Sequence, residues 1–374
     1  MLVNRHKIKK VAHVIPAFYP VKGGIETLLT LLHPRLQSDY GIQSVAFAPQ
    51  FGITQAENED FDGLRTNLIP IPGDAQKFSS PSVIASYFAL IRKRLELEAP
   101  DLIHLHGPYA LFHMVPNVAR SMGIPLIHHI HGELPDNLDK STLTELSKAH
   151  WTIAVSNSVA QSIKSHFPTS TPIVIPNGIE KLDPIEPSQA RDEFLISLVG
   201  RMDSNKGFDY ALKAISIIKK RGIKVNIQIV GIGDLIHIQS LLSRFDLENE
   251  TFFFGRCTRE KTLEIMRRSS VLVASSIKTE GFSLVAAEAG GMGLPVVAFA
   301  TGGLMETVVD GITGTIVQNR DVKELAKALE RYARDQILCK KHGESAIKHV
   351  RHHYSIDSFT SRIVDIYQAA TLGK

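Results

Sequence analysis

Cysteine is scarce in this sequence. Two residues, Cys257 and Cys339, among 374 cannot build a disulfide framework, and a reducing cytoplasm is the natural compartment. Long apolar runs are also missing: no stretch approaches the roughly 20 residues that a membrane-spanning helix needs. The basic segment 1–10 leads straight into Val11–Ile15, an apolar run too short for a secretory signal. Charge of one sign is not in excess. The formal charge of +4 tolerates anionic lipid or acidic glycan but does not call for nucleic acid, and neither an RNA- or DNA-binding motif nor a short-period repeat is present. What remains, 44% hydrophobic and 21% charged residues, is the composition of an ordinary globular protein. The length suits two domains.

The stretch around which the chain is organised is Glu280-Gly281-Phe282-Ser283-Leu284-Val285-Ala286-Ala287-Glu288. A helix is expected to begin near Ser283. Its first N–H groups and the positive end of its dipole would then face whatever lies beyond Glu280. Gly281 lets the backbone approach a ligand closely. Glu280 falls in the loop before the helix and Glu288 about a turn inside it. At about 1.5 Å per residue the pair could flank a diphosphate carrying a sugar on one side and a ribose on the other. Upstream, Gly200-Arg201-Met202-Asp203-Ser204-Asn205-Lys206-Gly207 offers two cations between glycines. The planar fork of Arg201 and the mobile charge of Lys206 suit a phosphate cluster. Taken singly, each motif also reads as solvated surface charge.

Together, and in this order, the two motifs resemble the retaining nucleotide-sugar glycosyltransferases of family 4, which have the two-domain GT-B fold. Val155-Ser156-Asn157, Val174–Ile179, Thr301-Gly302-Gly303 with Glu306, and Asp310–Gly314 extend the resemblance over nearly the whole chain.

In the N-terminal half, Val11–Ile15 reads as a buried parallel strand. The pair Gly23-Gly24 follows, then a helix with Ile25, Leu28, Leu29, Leu32 and Leu36 on one face. Strand, glycines and helix N-terminus make an anion-binding loop or a plain tight turn. Pro34 is expected to kink this helix. Residues 44–49 read as a strand, 50–80 as loop with short strands, and Ile84, Tyr87, Phe88, Ile91 and Leu95 as a second helix face. Arg92-Lys93-Arg94 reads as a solvated face, with membrane contact as the alternative. Two further strands carry His104, His106, His128 and His129, with His131 just beyond. Five histidines raise the question of a metal, but no acidic pair or cysteine accompanies them at ligand spacing. They read as core, and no metal site is expected. Position 131 lies beyond the carboxyl end of a strand, where open sheets gather ligands. The resemblance puts the His131-Gly132 imidazole next to the donor sugar.

In the C-terminal half, strands are expected over 195–199, 225–230, 251–255, 271–275 and 296–299. Gly231-Ile232-Gly233-Asp234 departs from the dinucleotide fingerprint, whose third glycine would fall at Ile236. By resemblance, Gly231 lies beside the donor nucleotide and Arg256 borders its base. The family carries bulkier residues where Gly290 and Gly291 stand, so this helix should end early or pack unusually closely.

The resemblance implies an α/β chain of two Rossmann-like, doubly wound domains facing a central cleft. An acceptor-side domain would occupy 1–180, a linker 181–192, a donor domain 193–352, and a helix crossing back to the first domain 353–374. It implies metal-independent transfer of a hexose from a nucleoside diphosphate sugar, with retention, to a glycan, lipid-linked or small-molecule acceptor in envelope polysaccharide or glycoconjugate synthesis. Uridine and guanosine donors both stay open. No cofactor is expected beyond that co-substrate, and the location would be the cytoplasm or the inner membrane face. Arg201 and Lys206 would stabilise the leaving diphosphate, helped by N–H groups at Phe282, Ser283 and Leu284. Glu280 would bind sugar hydroxyls, Glu288 the ribose, and Gly24 would let its loop close over the phosphates. A glycoside hydrolase using Glu280 and Glu288, an epimerase of the same fold and a non-catalytic sugar-binding relative are the alternatives.

Overall fold

The structure, a computed structural model, describes residues 8–16, 23–51, 57–61, 63–71, 81–107, 115–136, 138, 144, 151–185 and 194–372. They separate into two compact units, Met1–Gly178 with Ile356–Lys374, and Ile179–Ser355.

The first unit runs β1 (Lys10–Val14), α1 (Gly24–Tyr40), β2 (Gln43–Phe51), β3 (Glu57–Phe61), β4 (Leu64–Ile71), α2 (Pro81–Glu98), β5 (Leu102–His106), α3 (Val115–Ser121), β6 (Leu126–Ile130), β7 (Trp151–Ala154), α4 (Asn157–His166) and β8 (Ile173–Val174). Its sheet has the order β3-β4-β2-β1-β5-β6-β7-β8 and is parallel apart from the β3–β4 pair. Burial of Leu28, Leu29, Leu32 and Leu36 anchors α1, and burial of Tyr87, Phe88, Ile91 and Leu95 anchors α2, as their spacing requires. Pro34 lies within α1, which continues to Tyr40 and stops where Gly41 turns to φ 66°. Residues 50–80, expected as loop with short strands, hold β3 and the eight-residue β4, which lies beside β2 because Leu64, Leu68 and Ile69 point into the core.

The second unit runs β9 (Phe194–Val199), α5 (Phe208–Lys220), β10 (Val225–Val230), α6 (Leu235–Phe245), β11 (Thr251–Gly255), α7 (Arg259–Arg267), β12 (Val271–Ala274), α8 (Leu284–Met292), β13 (Val296–Phe299), α9 (Leu304–Thr307), β14 (Gly314–Val317), α10 (Val322–Arg334) and α11 (Gln336–His353). Its parallel sheet has the order β11-β10-β9-β12-β13-β14. The final helix, α12 (Ile356–Leu372), belongs to the first unit, where Phe359, Ile363 and Tyr367 enter the core. Gly290 and Gly291 do not end α8 early. A Cβ would stand 3.1 Å from Val350 at Gly290 and 3.0 Å from Ile179 at Gly291, so the glycines admit close packing of α11 and of Ile179. Among the described residues no helix is long and apolar enough to cross a membrane.

Candidate active site

Four loops at the carboxyl ends of the second unit's strands interlock, and glycines make the fit possible. A Cβ at Gly231 would lie 1.8 Å from the Gly200 carbonyl oxygen, and one at Gly233 2.4 Å from that of Met202. The Met202 N–H donates to Ile232 O at 2.8 Å and the Asp234 N–H to Met202 O at 2.9 Å. The Gly-X-Gly run is thus needed for loop packing against the Arg201 segment.

That segment closes on β12. Asp203 Oδ1 accepts from the N–H groups of Asn205 and Lys206 at 3.0 and 3.2 Å. Gly207, at φ 59°, leaves no room for a Cβ above the Ser275 carbonyl, and the Ser275 hydroxyl donates to Lys206 O at 3.0 Å. Lys206 Nζ is thereby delivered to Glu280 Oε1 at 2.9 Å, while the Ser276 hydroxyl donates to Oε2 at 2.6 Å. Burial pushes the Glu280 carboxyl up, but Lys206, Ser276 and Ser283 outweigh it and hold the pKa below the ordinary value. Beneath, the Gly303 N–H donates to Glu280 O at 2.7 Å and the Thr307 hydroxyl to Phe282 O at 2.6 Å. Ser283 precedes α8 at φ 72°, a costly conformation for a residue with a Cβ, and Leu284 opens the helix. Gly281, Phe282, Ser283 and Leu284 therefore stand at one helix N-terminus beside Glu280.

Glu288 lies inside α8 and is buried. Arg259 Nε donates to its Oε1 at 2.6 Å, and Arg259 Nη1 to Glu180 Oε2 at 3.0 Å. Burial prevails there and raises the Glu288 pKa despite the guanidinium. Arg201 reaches solvent, with Nε 3.4 Å from Asp203 Oδ2. Arg256 is exposed just past β11, whose end meets the Gly231 turn where the Gly231 N–H donates to Gly255 O at 2.8 Å.

In the first unit, Gly23 caps α1 and Gly24 begins it. The Gly23 N–H is taken by Glu26 Oε2 at 2.7 Å, so one donor of the expected anion loop is already engaged. Residues 17–22 lie outside the described residues. His131 is half-buried just past β6. Strand alternation and register place His13, His104, His106, His129 and His131 on one face of the sheet and His128 on the other. Among the described residues, two groups, His13/His104/His106 and His106/His129/His131, bring one nitrogen per ring within 4.8 Å of the others.

Two family profiles match the chain in succession, Glycosyltransferase Family 4 over residues 22–181 and Glycosyl transferases group 1 over 180–349. The chain belongs to glycosyltransferase family 4. This glycosyltransferase is 26% identical over 372 residues to the phosphatidylinositol N-acetylglucosaminyltransferase gpi3 subunit of Schizosaccharomyces pombe, covering 94% of this chain and 79% of that one. It shares its GT-B fold with sucrose-phosphate synthase from Thermosynechococcus elongatus, at TM-score 0.81 and 19% identity over 98% of this chain and 100% of that one. It shares it too with Anabaena HepE, solved in complex with UDP-glucose, at TM-score 0.77 and 18% identity over 96% and 99% of the two chains. Family membership sets aside the hydrolase and epimerase alternatives.

Sequence reasoning missed Arg259 and Ser276. Arg259 lies 29 positions before Glu288, and only the packing of α7 on α8 joins them; no local pattern signals it. Ser276, four residues before Glu280, was within reach of the motif but looked like ordinary loop composition.

Proposed function

We propose that this glycosyltransferase moves a hexose from a nucleoside diphosphate sugar to a hydroxyl of a glycan or lipid-linked acceptor, with retention at the anomeric carbon and without a metal. The observation that carries the reading is the Lys206–Glu280 pair, held at 2.9 Å beside the α8 N-terminus. Leaving-group departure puts negative charge on the diphosphate and positive charge on the sugar. Lys206, Arg201 and the N–H groups of Phe282, Ser283 and Leu284 would take up the first, which is the task a divalent cation performs elsewhere. Glu280 would hold sugar hydroxyls and bear on the second. Glu288 would accept from the ribose hydroxyls through the oxygen that Arg259 does not engage. His131 would hydrogen-bond a sugar hydroxyl. Gly23 and Gly24, Gly231 and Arg256 would border the phosphates and the base. The leaving phosphate would take the acceptor proton on the face it departs from, since no side chain among the described residues is an evident nucleophile. The HepE complex favours a uridine donor. The phosphatidylinositol relative favours a lipid-linked acceptor, used at the inner membrane face, in envelope glycan synthesis.

Incubation with UDP- and GDP-hexoses, followed by proton NMR of the anomeric signal, tests the reading. Release of one nucleoside diphosphate, with an anomeric configuration matching the donor, is expected. An inverted product or an absolute requirement for added metal would overturn it.

A further inference from the structure

The five same-face histidines of the first unit form two hydrogen-bonded rows. In one, His13 Nδ1 faces His106 Nε2 at 3.1 Å, and His106 Nδ1 faces His131 Nε2 at 3.0 Å. In the other, Tyr367 of α12 faces His104 Nδ1 at 2.7 Å, and His104 Nε2 faces His129 Nδ1 at 3.2 Å. The rows lie against each other, with ring centroids 4.2 Å apart for His104 and His106 and for His129 and His131. Ring nitrogens therefore meet in pairs at hydrogen-bond distance, each pair accounted for by one shared proton.

Burial keeps these rings uncharged: His13 and His131 are lowered to about 3, and His104, His106 and His129 lie well below the ordinary value. A neutral imidazole carries one N–H and one lone pair. Along a row of neutral rings every N–H must then point the same way, so the tautomer of one ring sets all the others. The His13–His106–His131 row has two such arrangements. If the protons point inward, an N–H is left at His13 Nε2, a buried atom with no hydrogen-bond partner among the described residues. If they point outward, only a lone pair is left there. Orphaned buried N–H groups are rarer than under-used acceptors, so the outward arrangement prevails.

We propose that His13 and His106 are positioning residues that hold His131 as its Nδ1–H tautomer, so that it presents a hydrogen-bond donor to a sugar oxygen of the donor substrate. The inference deepens the proposed function and rests on the role given there to His131. His13 and His106 are both fully buried. Their effect passes through the ring nitrogens alone, and a sugar oxygen at His131 would be met as an acceptor.

Long-range proton–nitrogen NMR of the full chain, labelled with 15N-histidine at pH 7.5, reads the tautomers directly. His131, His106 and His13 are each expected to carry the proton on Nδ1. In His106→Phe, His131 should shift toward the Nε2–H form, and kcat should fall about tenfold or more while KM for the donor changes little. If that variant fails to fold, His13→Leu tests the row from its buried end, and the wild-type spectrum alone decides the direction. An Nε2–H tautomer at His131 in the wild type, or an unchanged tautomer in a folded His106→Phe, overturns the proposal. So does stoichiometric binding of added Zn2+ that erases the ring N–H signals. The spectrum needs no substrate. Failure of the donor assignment would show in nucleotide binding with the spectrum as expected, and failure of the histidine row would show in the spectrum with nucleotide binding intact.

Discussion

Burial alone would raise the carboxyl pKa of both Glu280 and Glu288, yet it prevails only at Glu288. Glu280 has an ammonium and hydroxyls around it, so it stays a carboxylate suited to bearing on a developing positive charge. A depressed carboxyl contributes stability above its unfolded pKa and loses it as pH falls through the folded value. Glu280→Gln should therefore be less stable than wild type at pH 7, with the difference in melting temperature shrinking as pH falls below about 4.5. A difference that grows on acidification would contradict this. The same substitution should lower turnover by about two orders of magnitude with the fold intact, read as kcat beside a circular-dichroism melt. Arg259 holds two carboxylates, one of them buried. Removing it as Arg259→Met should cost about 3 kcal/mol in denaturant unfolding by leaving Glu288 uncompensated, and Glu288→Gln in the same chain should recover part of that loss. Additive losses would mean the two side chains do not act as a pair.

At the scale of elements, the loops are held by backbone contacts that only glycine permits. Gly231→Ala, which would put a Cβ 1.8 Å from a carbonyl oxygen, should destabilise by about 3 kcal/mol or more. Gly222→Ala, also at positive φ but with nothing within 4 Å, should cost about 1 kcal/mol. Equal losses in denaturant unfolding would contradict the packing explanation. The histidine-bearing strands make a second prediction. His13, His104, His106, His128, His129 and His131 all have pKa values lowered by burial. The unfolded chain takes up protons below about 6.5 where the folded chain does not, so this stability is present above that pH and lost below it. The melting temperature should fall steeply between pH 6.5 and 5. A flat profile over that range would contradict the buried neutral rings.

At the scale of the molecule, most of the architecture was legible, because strand and helix periods repeat through both halves with glycine punctuation between them. Ser283, Glu280 and Glu288 could be placed around a helix start from their spacing alone. Three things were not legible. The length and place of β4 were hidden in a segment read as loop with short strands, where Asn and Pro masked the inward residues Leu64, Leu68 and Ile69. The Arg259–Glu288 contact joins two helices that only the fold brings together. The histidines read only as core, and their hydrogen-bonded rows depend on parallel register across β1, β5 and β6, which no local spacing encodes.

The second unit is proposed to bind the donor's nucleoside diphosphate. A thermal-shift panel of UDP, GDP, ADP, dTDP and NAD tests it most directly, since a ligand of the native state raises the melting temperature by mass action. A rise with one nucleoside diphosphate, UDP by the reading above, and its loss in Lys206→Ala is the predicted result. No rise with any diphosphate for the folded protein, or a rise that Lys206→Ala leaves unchanged, would contradict the account.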